Sequence, residues 1–378
     1  MIFIRATAAP RPRPRDRETR MQEYVTAPLF DEPLVPGGTL ARIRAAAFPR
    51  VRYMGSKYKV IPALVDVFSS LSFDTALDAF SGSGVVGYAL KAMGKTVTTN
   101  DFLNFPTTIA RATVENADTH LDEADVARIL SPALNAPHFI RRTFNGLYFP
   151  SDDLDFLDAA WAHVDLLPPY KRDLALAALC LAAARKQPRG VFTVTDFRYD
   201  DGRRHLRASL RDLFCEAVTQ YNAVVFDNER PNHALCGDVF DVDPNGLDLV
   251  YLDPPYAPPR DDNDYIKRYH FLEGLSLYWR GQRIMENTIT KKLEKRYTPF
   301  GSKRTIVDAL RRTFHHFRQS TIVLSYSSNS VPDRDEIYRL LAEEKSHVDV
   351  IAIPHRYSFG THAAAERRQV DEYIFVAR

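Results

Sequence analysis

TALDAFSGSGVVGYALKAMGKTVTTND, residues 75–101, decides the fold. Its opening run, Thr75 to Phe80, is short and apolar, as a buried strand is. Ser81, Gly82, Ser83 and Gly84 follow at once, a turn of small residues whose backbone can approach a ligand closely. Val85 to Leu90 opens a helix, and Lys95 to Asp101 reads as a second strand ending on an acid. Strand, glycine loop, helix, strand and acid in this order place a nucleoside-containing cofactor across the C-terminal ends of parallel strands. An acid about 20 residues beyond the loop is suited to accept from ribose hydroxyls. The wording is FxGxG and lacks the full GxGxxG fingerprint, so no pyrophosphate is demanded.

Upstream, RYMGSK (52–57) is a glycine-centred loop. The spacing of Ile61, Leu64, Val65 and Phe68 starts a helix near Val60, and such a start can receive an anion or a carboxylate. Downstream, the strand pattern resumes at 233–240 (HALCGDVF) and 247–253 (LDLVYLD). It returns at 321–327, 348–353 and 370–376, the last two readable as a terminal hairpin. Residues 104–130 look helical, and 138–232 is a long mixed region with helical stretches. The whole predicts an α/β fold with a mostly parallel sheet and a C-terminal hairpin.

Hydrophobic residues make up 45% of the 378 and charged residues 26%, which excludes collagen-like, mucin-like and globally disordered chains. No run approaches the roughly 18 apolar residues of a membrane span, so no membrane partner is expected. Cys180, Cys215 and Cys236 form no CxxC pair, which argues against a disulfide framework or a closed zinc site and fits a reducing compartment. His315 and His316 would diverge on a helix, and His355 and His362 have no partner at metal spacing, so no metal is expected. The net charge is only +2, and the first 20 residues, with six arginines, two acids and an alternating PRPRPR, supply the positive sign. Residues 1–23 therefore read as a disordered basic tail, with a weak phosphate-contacting arm and a targeting peptide as the alternatives. A contact with nucleic acid must come from local patches. One lies at 185–212, where Arg185, Lys186, Arg189, Arg198, Arg203, Arg204, Arg207 and Arg211 interleave with Phe192, Phe197 and Tyr199. It reads equally as a phosphate-contacting surface or as a charged face over a core. A second, 283–304, reads as a phosphate-facing loop or a solvated helix face.

The strongest chemical signal is Asp253-Pro254-Pro255-Tyr256 at the end of the run Leu249 to Leu252. Two consecutive prolines stiffen the turn and remove two backbone donors. What remains is an acceptor set, the Asp253 carboxylate and the Pro254 carbonyl, beside the flat ring of Tyr256. That set matches an exocyclic amino group such as adenine N6. Two acceptors can hold both N–H hydrogens while the ring stacks on Tyr256, and an in-line methyl donor then needs no covalent enzyme intermediate.

Taken together, RYMGSK (52–57), DAFSGSG (78–84), TTND (98–101), GDVF (237–240) and YLDPPY (251–256) resemble the D12 class of DNA N6-adenine methyltransferases, the relatives of the bacterial Dam enzymes. With the glycine loop first and DPPY last, the order is the alpha arrangement. FIRRTFNGLYF (139–149) and YHFLEGL (269–275) also resemble segments of that class.

The resemblance implies a Rossmann-like sheet that binds S-adenosylmethionine. Its catalytic domain would comprise 50–116 and 233–378, with an inserted, mainly helical target-recognition region at 117–232. Tyr53, Gly55 and Lys57 would lie near the methionine portion of the cofactor. Asp78, Phe80, Gly82 and Gly84 would form its cradle, and Asp101 would take the ribose hydroxyls. Asp238 would accept from the cofactor's adenine amino group, with Val239 or Phe240 against the ring. Asp253, Pro254, Pro255 and Tyr256 would hold the target base. The implied activity is site-specific methylation of adenine N6 in double-stranded DNA with base flipping, in the cytoplasm of a bacterium or with a phage, beside a possible separately encoded restriction endonuclease. The alternative is methylation of adenine N6 in RNA, since the DPPY chemistry does not itself distinguish the two.

Overall fold

The computed structural model describes residues 2–7, 36–193, 200, 202–256, 265–356 and 369–378. One eight-stranded sheet organises the chain. Its strands are β1 (Ile2–Thr7), β2 (Thr75–Asp78), β3 (Thr96–Asp101), β4 (His233–Cys236), β5 (Leu249–Leu252), β6 (Thr321–Ser327), β7 (His347–Arg356) and β8 (Gln369–Ala377). They lie in the order β1-β7-β8-β6-β5-β2-β3-β4. The five strands from β6 to β4 run parallel, whereas β8, β7 and β1 pair antiparallel.

Strand β5, inside the parallel part of the sheet, is short and apolar because helices cover both of its faces; its Leu249, Val250, Tyr251 and Leu252 are all buried. On one face lie α1 (Pro36–Ala47), α2 (Ile61–Ser69), α3 (Val85–Ala92) and α4 (Asn104–Ala110). Then come α5 (Glu123–Leu130), α6 (Phe139–Thr143), α7 (Ser151–Val164), α8 (Pro169–Arg185), α9 (Arg204–Arg207) and α10 (Leu210–Asn222), followed by α11 (Tyr265–Leu277). Within this layer α8 is buried continuously from Leu174 to Ala184 and packs against α4, α10 and α11. The other face is covered by α12 (Ile306–His316) and α13 (Arg334–Glu344). Among the described residues, no helix is long and apolar enough to cross a membrane.

The chain proceeds from β2 outward to β3 and β4, then returns to the opposite side of β2 for β5 and β6. The reversal opens a crevice at the C-terminal ends of β2 and β5, where parallel α/β sheets bind ligands. Thus the turn at 81–84 and the DPPY turn meet on one edge.

Three expectations need correction, and one open reading, at 283–304, is narrowed to a loop. The first residues are not simply tail: Ile2–Thr7 forms β1, paired from Ile2↔Ala352 to Thr7↔His347. Ile-Phe-Ile suits a strand and precedes the first proline, Pro10, so the composition of the first 20 residues as a whole misrepresents its start. Residues 8–23, the rest of the expected tail, lie outside the described residues. The helix read over 104–130 is interrupted: α4 runs into a π-turn at Arg111–Glu115 and ends at Asn116, whose side chain accepts from the Thr119 N–H at 2.9 Å. The strand read at 233–240 stops at Cys236, because the Asp238 carboxylate caps a 3-10 turn by accepting from the Phe240 N–H at 3.1 Å. Residues 283–304 form no α-helix; they are an irregular strap with one bridge, Ile284↔Leu293, and a 3-10 turn at Pro299–Gly301.

Candidate active site

A cleft of about 960 Å³ opens at the switch point. The loop 53–57, the ends of β2 and β3, the turn after β4, the start of the DPPY turn, α11 and the strap 295–305 all line it. Tyr53, Gly55, Lys57, Asp78, Phe80, Gly82, Asp101, Asp238, Val239, Asp253, Pro255 and Tyr256 all face this space. Gly84, Phe240 and Pro254 are not among its lining residues. Gly84 makes the left-handed turn into α3 (φ 80°), and a Cβ there would meet Ile109 and Phe48 of the core at 3.4 and 3.5 Å. Phe240 stacks instead on Phe300 and lies 4.1 Å beneath the Arg312 guanidinium.

The cradle is shaped by carboxylates. Gly82 adopts a positive φ of 49°, and a Cβ there would sit 2.9 Å from the Tyr53 ring, so only glycine fits. Its N–H donates to Asp101 Oδ2 at 2.8 Å, and the Leu103 N–H donates to Oδ1 at 2.9 Å. Burial pushes the Asp101 carboxyl up to about 6 despite these two bonds. Asp78 accepts the Gly87 N–H at 2.9 Å through Oδ2. Its Oδ1 is buried without a hydrogen-bond partner, as are Ser81 Oγ and Asn100 Oδ1, which belong to residues of the same cleft wall. Burial raises the Asp78 carboxyl to about 8. Unsatisfied buried acceptors cost free energy, so this wall is built for a polar or cationic ligand.

At the end of β5 a second cluster forms. Lys57, 5% exposed, places Nζ 2.7 Å from Asp253 Oδ2 and donates to the Gly55 carbonyl at 2.7 Å and the Tyr256 hydroxyl at 3.0 Å. The Tyr256 hydroxyl lies within donating distance of Asp253 Oδ1, at 2.8 Å, and of Glu372 Oε1, at 3.0 Å. Burial pushes the Asp253 carboxyl up to about 6; the Lys57 ammonium opposes this and the Glu372 carboxylate adds to it.

Several residues of the site were missed. Asn100 ties the ends of β2 and β4 together by donating to the Ala79 and Gly237 carbonyls, each at 3.3 Å. The Met54 N–H donates to the Tyr269 hydroxyl of α11 at 2.7 Å, and Tyr53 stacks on Tyr269 at 4.9 Å, which holds the loop 53–57. Glu273, also on α11, accepts the Phe105 N–H at 3.1 Å and lies 3.4 Å from the strap's Arg296. The YHFLEGL run carried this signal without showing its geometry. Glu372, 116 residues beyond Tyr256, had none.

The basic patches separate. In the described part of 185–212, Lys186 pairs with Asp153 at 2.6 Å, Arg204 with Glu216 at 2.6 Å and Arg207 with Asp200 at 2.6 Å. Arg204 and Arg207 thus serve a charged face, while the Lys186–Asp153 pair is largely buried; Arg198, Phe197 and Tyr199 lie outside the described residues. The strap, by contrast, lines the cleft and leaves Tyr297 85% exposed. His315 approaches Glu344 and His316 the Val242 carbonyl. The His355 side chain and His362 lie outside the described residues. Among those described, no three His, Cys, Asp or Glu side chains form a metal-binding group.

Comparison with known proteins gives the family. The chain is 28% identical over 327 residues to the type II methyltransferase M2.HphI of Haemophilus parahaemolyticus, covering 82% of this chain and 92% of that protein. It is 23% identical over 358 residues to the modification methylase StsI of Streptococcus sanguinis, and 23% identical over 361 residues to the type II methyltransferase M.FokI of Planomicrobium okeanokoites. Those alignments cover 86% of this chain but 51% and 52% of the two relatives, about half their length. The family model for D12 class N6 adenine-specific DNA methyltransferase matches residues 53–338, from the first cleft loop into α13. That span is well over half of the chain and includes the 53–57 loop, the 81–84 turn and the DPPY turn; the chain belongs to the D12 class of N6 adenine-specific DNA methyltransferases.

Proposed function

We propose that this chain transfers the methyl group of S-adenosylmethionine to N6 of an adenine flipped out of duplex DNA, at a specific site. The observation that carries this reading is that the Asp78–Asp101 cradle and the Asp253–Tyr256 turn open into one cleft across the β2/β5 crevice. When bound, S-adenosylmethionine supplies an electrophilic methyl group on a positively charged sulfur. The residues present suit it: Asp78, Ser81 and Asn100 offer unpartnered polar atoms, and Asp101 and Asp238 add carboxylates for hydroxyl and amino groups. Phe80 and Val239 offer apolar surface.

Asp253, which lines the cleft, accepts an N6 hydrogen, whereas Pro254 does not line it and is given no part in holding the amine. A carboxyl near pKa 6 is ionised at neutral pH yet accepts more strongly than an exposed aspartate. Adenine N6 cannot enter this recessed cleft while stacked in a duplex, so the base leaves the helix. The exposed Tyr297 and the exposed Lys295 and Lys303 on the strap support a DNA-facing rim there. Residues 117–232 are the proposed target-recognition region, braced on the cleft wall through the packing of α8 on α11. The relatives' names, a type II methyltransferase and a modification methylase, support reading this chain as a modification enzyme, and a separately encoded endonuclease is the partner we propose for it.

The test is a competition in which duplex DNA, the matching single strand and RNA share one pool of labelled S-adenosylmethionine. Label should enter the duplex first. Preferential labelling of RNA would overturn the choice of substrate.

A further inference from the structure

We infer that Glu372 is a positioning residue for methyl transfer, taking over the Lys57 ammonium and the Tyr256 hydroxyl when Asp253 turns to the substrate amine. The inference rests on the function proposed above and extends it to a residue beyond the family match, which ends at 338.

The fold explains how so distant a residue arrives. Strand β8 runs antiparallel to β6, so its first residues lie at the C-terminal edge of the parallel strands. Glu372 pairs with Ser327 at the end of β6 and with Ile353 on β7. Next to β6 lies β5, which ends at the DPPY turn. The hairpin therefore delivers a carboxylate, 3% exposed, to the side of Tyr256 away from the cradle strands β2 and β3.

Both Asp253 oxygens are engaged within the protein: Oδ2 by Lys57 at 2.7 Å and Oδ1 by the Tyr256 hydroxyl at 2.8 Å. Glu372 Oε1 stands 3.0 Å from the same hydroxyl and 3.4 Å from the same ammonium. A phenol carries one proton, so Tyr256 donates to one carboxylate at a time. Two arrangements of one network follow. In the first, Asp253 holds the hydroxyl and the ammonium. In the second, Glu372 holds them, and Asp253 is released toward the amine while Lys57 keeps a buried counter-charge. Without Glu372, freeing Asp253 would leave Lys57 short of charge compensation in a buried site, which is costly.

Glu372→Gln tests the exchange, because it keeps the volume and one acceptor but removes the charge and turns an amide NH₂ toward Lys57. Single-turnover methylation at pH 8 should fall roughly tenfold or more. Cofactor and duplex affinities should stay within about threefold of wild type. The acidic limb of the rate profile should move to lower pH, since one negative charge opposing Asp253 ionisation is gone. Lys57, Tyr256, Asp78, Tyr53 and Tyr251, the other groups coupled to Asp253, are left in place. Glu372→Asp, which keeps the charge but draws it back, should return the limb toward wild type while the rate stays low. A wild-type rate and limb for Glu372→Gln would overturn the role. So would a rate loss matched by lost melting temperature and cofactor affinity with an unmoved limb, which would make Glu372 structural only. A wild-type rate for Asp253→Asn in the same assay would instead sink the functional reading beneath it.

Discussion

The ends of β3 and β5 flank β2 and carry the same chemical group, yet hold it differently. Asp101 and Asp253 are both pushed to about 6 by burial. Asp101 is gripped by two backbone N–H groups, of Gly82 and Leu103. Asp253 is gripped by two side chains, Lys57 and Tyr256. Backbone donors cannot be surrendered without moving the glycine loop, whereas side-chain donors can rotate to another acceptor. One strand end is therefore a fixture that shapes the cradle, and the other is a carboxylate free to change partners during a reaction.

The contrast is broken most directly by substitution. Asp253→Asn keeps the shape but offers one acceptor oxygen and no charge. Its single-turnover rate should fall by about 10²-fold or more, roughly 2.7 kcal/mol, with cofactor affinity little changed. Asp101→Ala should do the reverse. Cofactor affinity measured by calorimetry should weaken by roughly 1.5–3 kcal/mol, because the proposed ribose acceptor goes and the Gly82 N–H loses its partner. Equal effects of both changes on rate and affinity would erase the distinction.

Titration sharpens it. Protonating Asp253 removes its acceptor, so the single-turnover rate should decline as pH falls through about 6, approaching about tenfold per unit below it. A rate flat from pH 8 to 5 would contradict this. Asp78 should report binding and not chemistry. Its carboxyl, raised to about 8, is largely neutral at pH 7, and a cation placed beside Oδ1 lowers that value. Cofactor binding at pH 7 should then release close to one proton per site, seen as a binding enthalpy that varies with buffer ionisation heat. The smallest effect belongs to the rim: Tyr297→Ala should weaken duplex binding by ~1 kcal/mol, about fivefold, and leave cofactor affinity alone.

The same contrast explains what the sequence disclosed. The glycine loop with Asp101 and the DPPY turn were legible because each is a contiguous run at the end of a strand, and strand ends of a parallel sheet share an edge. The hairpin β7–β8 was readable from its two apolar runs. Glu372 was not, since nothing local marks one acid in VDEYIFV as facing a tyrosine 116 residues away. Tyr269 and Glu273 lay in a noticed run, but only the packing of α11 shows them holding the loop 53–57 and the strap. Strand β1 was hidden by averaging Ile-Phe-Ile with the arginines behind it. Phe240, Gly84 and Pro254 followed from motif membership, which does not specify which side of a turn faces the ligand.

The most direct test of the account is the identity of the product. Duplex DNA incubated with the wild-type protein and tritiated S-adenosylmethionine, then digested to nucleosides and separated, should carry its label in N6-methyl-2′-deoxyadenosine. Label on a cytosine or on another position of adenine, or efficient labelling that persists in Asp253→Asn, would contradict it.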